Sequence, residues 1–215
     1  MNERCNFDGT CDQATTVDCD DRNPCTTDAC DGRGGCSHDP IPGCFGLGVR
    51  AVGRASGSGS ISGRSVTCSS PRCEQVGQGA LILNPDGTYR SPSTTAGGIA
   101  CPTSSAPLPD EVGTIRRGRK GRLILRPSNL AEIRQALQQC VGRRVGLRLR
   151  ERMTLSSDGQ SLTGTLRARA TVYDQIPVNV AIVVRVVGRL GSAPAPPALR
   201  TGRVCSELRV RCVVR

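Results

Sequence analysis

The chain has 215 residues, with 29 Lys and Arg against 18 Asp and Glu for a formal charge of +11, 13 cysteines, two Tyr, two Phe and no Trp. So few aromatic rings leave almost nothing to stack on sugars or unpaired bases, which argues against a typical lectin or single-strand binder. One histidine, no His-Glu-x-x-His run, no nucleophile elbow and no serine with a lysine three residues on leave no catalytic constellation, so no enzyme is expected.

Charge divides the chain. Residues 1–44 hold nine acidic and three basic side chains, net −6, and residues 45–215 hold nine acidic and 26 basic, net +17. Such asymmetry predicts two domains, an acidic cysteine-rich module over 1–44 and a basic domain over 64–215. Residues 45–63, rich in Gly and Ser, read as a linker or an irregular first strand.

In the module, Cys5, Cys11 and Cys19 are separated by six and then eight positions, and Cys30, Cys36 and Cys44 repeat those intervals at an offset of 25 residues. A period of that size marks small units in series, each too small to bury a core, so disulfides or a metal must hold them. Cys25 to Cys30 and Cys68 to Cys73 have four residues between them and fit no zinc knuckle, and His38 is the only histidine. Disulfides are therefore expected throughout, among Cys5, Cys11, Cys19, Cys25, Cys30, Cys36, Cys44, Cys68, Cys73, Cys101, Cys140, Cys205 and Cys212. The odd total leaves one without an internal partner. One full unit is read as Cys19, Cys25, Cys30 and Cys36, preceded by the half-unit Cys5 and Cys11, with Cys44 opening a third. No apolar leader follows Met1, so the expectation is a C-terminal piece of a longer exported protein. The most apolar run, Val178 to Val187, is short and holds Arg185, so no membrane span is expected.

Val17 to Asp31 reads VDCDDRNPCTTDACD, followed by Gly35, Cys36 and His38. With Cys19, Asp20, Asp21, Asn23, Cys25, Thr26, Asp28 and Cys30, this resembles the short cysteine-rich repeat named after slime-mould extracellular proteins, which also occurs in modular surface proteins of bacteria. The resemblance extends over about residues 5–44 and departs from the pattern at Arg22, where glycine is usual. It implies an extracellular building block, secreted or at the cell surface, and no catalytic activity. Read by their chemistry alone, Asp18, Asp20, Asp21, Asn23, Asp28 and Asp31 place six oxygen-bearing side chains within 14 residues. Crowded carboxylates suit calcium, which accepts six to eight oxygens in loose geometry. The other reading is that they cap turns by bonding nearby backbone amides. The loop is not an EF-hand, because Gly32 stands where the bidentate glutamate belongs.

The basic domain shows period two. Leu81 and Leu83 lead to Asp86-Gly87, and Leu123 and Leu125 follow the turn at 118–121. Leu147, Leu149, Met153 and Leu155 run to Ser157-Asp158-Gly159, and Leu162, Leu166, Ala168, Ala170 and Val172 return. Val178, Val180, Ile182, Val184 and Val186 continue, and a last strand is predicted over Val204 to Val214. Asp-Gly between alternating apolar residues predicts hairpins. One helix is expected near 129–141, with Asn129 as N-cap, Glu132 in the capping position and Leu130, Ile133, Leu137 and Val141 on one face. The sum is a mainly β protein, an antiparallel β-barrel or sandwich with one helix behind a disulfide-rich loop module. The Asp158-Gly-x-x-Leu162-x-Gly164 turn is similar to those of calycin-like barrels, over too short a stretch to assign the domain. Cys68 with Cys73 is expected as a local loop closure. Cys205 and Cys212 lie about 23 Å apart along a straight strand, beyond bonding reach, and are expected to bridge elsewhere, to Cys101 and Cys140.

The densest basic cluster, Arg116, Arg117, Arg119, Lys120 and Arg122, reads as a solvated hairpin or as a contact for polyanions such as acidic polysaccharide or lipid headgroups, with nucleic acid the less expected partner. The leading expectation is a non-enzymatic extracellular binding or structural protein stiffened by disulfides and calcium. The alternatives are a small-ligand carrier built on a closed barrel and an intracellular zinc-dependent nucleic-acid-binding protein.

Overall fold

The computed structural model describes residues 4–5, 17–21, 23, 25–30, 35–92, 108–192 and 210–214. In the module, β1 (Arg4–Cys5) pairs with β2 (Val17–Asp18), and β3 (Thr26–Cys30) pairs with β4 (Cys36–Pro40), both antiparallel.

Eight strands follow in up-and-down order: β5 (Cys44–Ile61), β7 (Cys73–Leu83), β8 (Thr88–Ser91), β9 (Glu111–Arg117), β10 (Arg122–Pro127), β11 (Arg144–Leu155), β12 (Ser161–Tyr173) and β13 (Val178–Leu190). Each pairs antiparallel with the next, and β13 returns to β5 from Leu190↔Phe45 to Val178↔Gly57, which closes a barrel and leaves neither strand an edge. The second half of β5 extends past the barrel. There it pairs with β6 (Arg64–Ser69), which pairs in turn with β14 (Arg211–Val214). The Gly/Ser-rich segment is thus strand as far as Ile61: Phe45 to Gly53 are paired on both sides within the barrel, and Ser58 to Ile61 on β6 alone. Of the last predicted strand, only Arg211–Val214 is seen as strand, and 204–209 lie outside the described residues.

The turns are the predicted ones. Gly121, at φ +70°, admits no side chain, because a Cβ would sit 2.2 Å from the carbonyl oxygen of Leu155. Phe45, Leu47, Leu81, Tyr89, Leu123, Leu125, Met153, Leu162 and Val186 fill the half of the barrel nearest the module. Each contributes about 1.5–3 kcal/mol by leaving water. Gly113 lies opposite Tyr89, and a Cβ there would be 2.7 Å from the tyrosine ring, so the glycine makes room for it.

Helix α1 (Leu130–Val141) ends at Gly142 in the left-handed conformation and packs on β11, with Cys140 buried. Asn129 does not cap it. Its side chain accepts from the Val112 amide at 3.2 Å and donates to the Asp110 carbonyl at 2.7 Å, which ties the helix start to β9 instead. No helix among the described residues is long and apolar enough to cross a membrane.

Cys68 bonds Cys212 and not Cys73. The two stand directly opposite on β6 and β14 with Cα atoms 4.0 Å apart, whereas Cys73 lies beyond the break that ends β6. Cys212 therefore reaches neither Cys101 nor Cys140. Cys73 and Cys140 are also disulfide-bonded. Cys11, Cys101 and Cys205 lie outside the described residues, as do the side chains of Cys5 and Cys30.

Candidate functional site

Cys19 bonds Cys36 and Cys25 bonds Cys44, closing spans of 17 and 19 residues. Cys44 thus completes the unit of Cys25 and does not open a third. The reason is steric: it begins β5, buried beside Cys25, Ala80 and Ile82, with Ile41 packed against them. The sulfurs of Cys19, Cys25, Cys36 and Cys44 are spent on these bonds, so they offer zinc no thiolate.

Within the frame, β3 and β4 place Asp28 directly opposite His38. His38 Nδ1 lies 2.9 Å from Asp28 Oδ1 and 3.9 Å from Asp21 Oδ2. Asp21 is held by its own turn: its Oδ1 accepts from the Asn23 amide at 2.7 Å and from the Thr26 hydroxyl at 2.9 Å. The Asp21 amide donates in turn to Asp28 Oδ2 at 3.3 Å. The hydrogen bond that Asp28 accepts, with the charges of Asp21 and Asp28, holds the exposed imidazole's pKa above its ordinary 6.5. The group is an imidazole between two carboxyl side chains at a hairpin mouth.

Of the six expected calcium ligands, Asp21 and Asp28 come together with His38, their ligand atoms all within 4.8 Å of one another. Asp20 is exposed, the side chain of Asp18 is outside the described residues, and so is Asp31. Asn23 serves the fold: its Oδ1 accepts from the Cys25 amide at 3.1 Å, and its Nδ2 donates to the Gly191 carbonyl at 3.0 Å, docking the module on the end of β13. The turn-capping reading thus holds for Asn23 and Asp21. A nitrogen beside two oxygens suits a borderline transition ion better than calcium, which takes oxygen. His38 as a member of the group had a signal in the sequence: Cys30 faces Cys36 across a hairpin, so the residue two before the first must face the residue two after the second.

Residues 18–41 match the family described as Dictyostelium (slime mold) repeat. The match covers Cys19, Cys25, Cys30 and Cys36, the acidic turn and His38, so the repeat accounts for the hairpin and its salt bridge. The half-unit of Cys5 and Cys11 and the whole barrel lie outside it. No curated protein matches the chain.

Arg116 and Arg117 end β9, Arg119 and Lys120 form the turn, and Arg122 starts β10, all exposed, so the predicted basic cluster is a hairpin tip. Inside the barrel, the Tyr89 hydroxyl donates to Glu111 Oε1 at 2.6 Å, and the buried Glu151 carboxyl is hydrogen-bonded to Glu111. Burial first, and then Glu111, raises the pKa of Glu151 to about 8, so the Glu151 carboxyl holds its proton at neutral pH. Burial and the Glu111 contact also raise the pKa of Tyr89. Nothing in the sequence pattern marked this cluster, because Glu151 stands among arginines that face outward.

Proposed function

We propose that the chain is a non-enzymatic structural or binding protein of the cell exterior, secreted or surface-bound, in which disulfide-linked acidic repeats lead into a β-barrel that makes the contacts. The observation that carries this reading is the Cys25–Cys44 bond, which joins the repeat covalently to the first barrel strand. Such bonds persist in oxidising compartments and are reduced in cytosol. Calcium belongs to the same proposal, supported by the close approach of the Asp21 and Asp28 carboxyl oxygens, within 4.8 Å of one another. Non-reducing peptide mapping of the native protein tests the reading. Linked peptides Cys19–Cys36 and Cys25–Cys44 are expected, and free thiols there with bound zinc would overturn it in favour of the intracellular nucleic-acid binder. An unchanged melting temperature on adding calcium would remove the metal from the proposal.

A carrier function is a second reading favoured by one observation. Beyond the filled half, the inward-facing Ala51, Leu147, Leu149, Ala168, Ala170, Val180 and Ile182 are only half-buried. An apolar lining of that kind takes a small apolar ligand. Titration with a fluorescent fatty acid decides it, saturable binding supporting the carrier and none removing it.

A further inference from the structure

Arginines that look scattered in the sequence are gathered by the barrel onto one wall. On β11 the residues facing away from the core include Arg148, Arg150 and Arg152, and on β12 Arg167 and Arg169, all exposed. Register sets Arg148 directly opposite Arg169 and Arg150 directly opposite Arg167. With strands ~4.8 Å apart and same-face neighbours ~6.8 Å apart along a strand, four guanidinium-bearing side chains rise from one small rectangle. The array continues: Arg152 lies opposite Thr165, and Thr165 lies opposite the exposed Arg185 on β13. The only two carboxylates on strands β9 to β13, Glu111 and Glu151, face the interior. Among the described residues, arginine ion pairs involve Arg50, Arg90 and Arg143, none of them in this array.

Like charges directly opposite on neighbouring strands weaken a sheet. Two such pairs stacked together, with the two carboxyl groups of β9 to β13 turned inward, form a surface that an anion stabilises. Each guanidinium offers a planar fork of donors matched to carboxylate or sulfate. We propose that this arginine wall binds a linear acidic polysaccharide, whose charged groups bridge the opposed arginine pairs. The outward positions on the module side of β11 and β12 include Thr154, Thr163 and Thr165, which offer hydroxyls to sugar, and the exposed Val183 and Val187 of β13, opposite Arg167 and Thr163, flank the array. The choice of polysaccharide rests on the extracellular reading above; the wall itself does not.

The test uses the full oxidised chain with polygalacturonate as probe, and neutral dextran, phosphatidylglycerol vesicles and duplex DNA as comparators at equal ionic strength. Polygalacturonate is expected to bind with an affinity that falls as salt rises. The combined variant Arg148→Gln, Arg150→Gln, Arg167→Gln, Arg169→Gln is expected to weaken binding by about tenfold or more and to flatten the salt dependence. A hairpin variant, Arg116→Gln, Arg119→Gln, Lys120→Gln, is expected to change it by less than about threefold, since exposed charges outside the site contribute little. The fourfold variant should melt no lower than the parent without polymer and lose the rise in melting temperature that polymer gives the parent. Equal binding by parent and fourfold variant overturns the proposal, as does binding of dextran equal to that of polygalacturonate. Tighter binding of vesicles or DNA overturns the polysaccharide assignment. Polymer binding intact in a protein with free thiols sinks the extracellular reading and leaves the wall standing, so the two failures are distinct.

Discussion

The module and the barrel reach stability by opposite means. The barrel buries Leu162, Tyr89, Leu123 and their neighbours in a continuous apolar core, whereas the described part of the repeat buries chiefly cystine sulfur, at Cys19 and Cys25. The barrel's order comes from period-two side chains meeting across a closed sheet. The repeat's order comes from covalent closure of loops too polar to collapse. The lesson is that one chain can divide the work between burial and cross-linking, and each half can be broken without the other.

The largest expected effect breaks the barrel side. Leu162 is fully buried, and Leu162→Ala should cost about 4 kcal/mol through lost burial and the cavity left behind. Denaturant unfolding measures it, and a cost below about 1 kcal/mol would mean that the core is not packed around this residue. Next, on the module side, Cys25→Ser with Cys44→Ser should lower stability by about 3 kcal/mol, the value expected for closing a loop of this length. Amide exchange should locate the loss in 19–44 and spare β11 to β13.

The third prediction concerns the proton held in the barrel. The native Glu151 carboxyl, with its pKa raised to about 8, keeps a proton that the unfolded chain has lost above about 4.5. The native state therefore binds more protons in that window, and stability falls as pH rises from about 4.5 to about 8, then levels. Denaturant unfolding across this range should show the fall, and Glu151→Gln should flatten it. A slope unchanged in that variant would refute the buried proton on Glu151. The smallest effect belongs to the module's ion pair. His38 has its pKa raised by Asp28, so the pair's stabilisation is full below about pH 6.5 and fades as pH rises through the raised value. Asp28→Asn should bring the imidazole's titration midpoint back toward 6.5 by proton NMR, and an unmoved midpoint would deny the contact.

Much of the barrel was legible because its signal is local. The turns at Asp86-Gly87, Gly118–Gly121 and Asp158-Gly159 and the alternation along β11, β12 and β13 each lie within a dozen residues or so. The extended β5 was half hidden, since Gly57, Ser58, Gly59 and Ser60 carry no apolar stripe and are strand only because β6 and, for Gly57, β13 flank them. Asn129 misled for a related reason. Its side chain has the chemistry of a helix cap, but Val112 and Asp110, far off in sequence, offered it better partners. In the repeat, the acidic turn was visible as a cluster, while the choice of Asp21 and Asp28 from six candidates depended on hairpin register.

From the order of residues alone follow the disulfide-dependent repeat, the sheet-rich second half and the division of charge, because spacing, alternation and composition are properties of neighbours along the chain. Which cysteine meets which, that Cys44 and Cys212 reach back to Cys25 and Cys68, that Glu151 is buried beside Glu111 and that arginines from separate strands stand side by side were decided by the tertiary structure. Strand pairing between distant segments sets those encounters, and no local pattern encodes a partner 144 residues away.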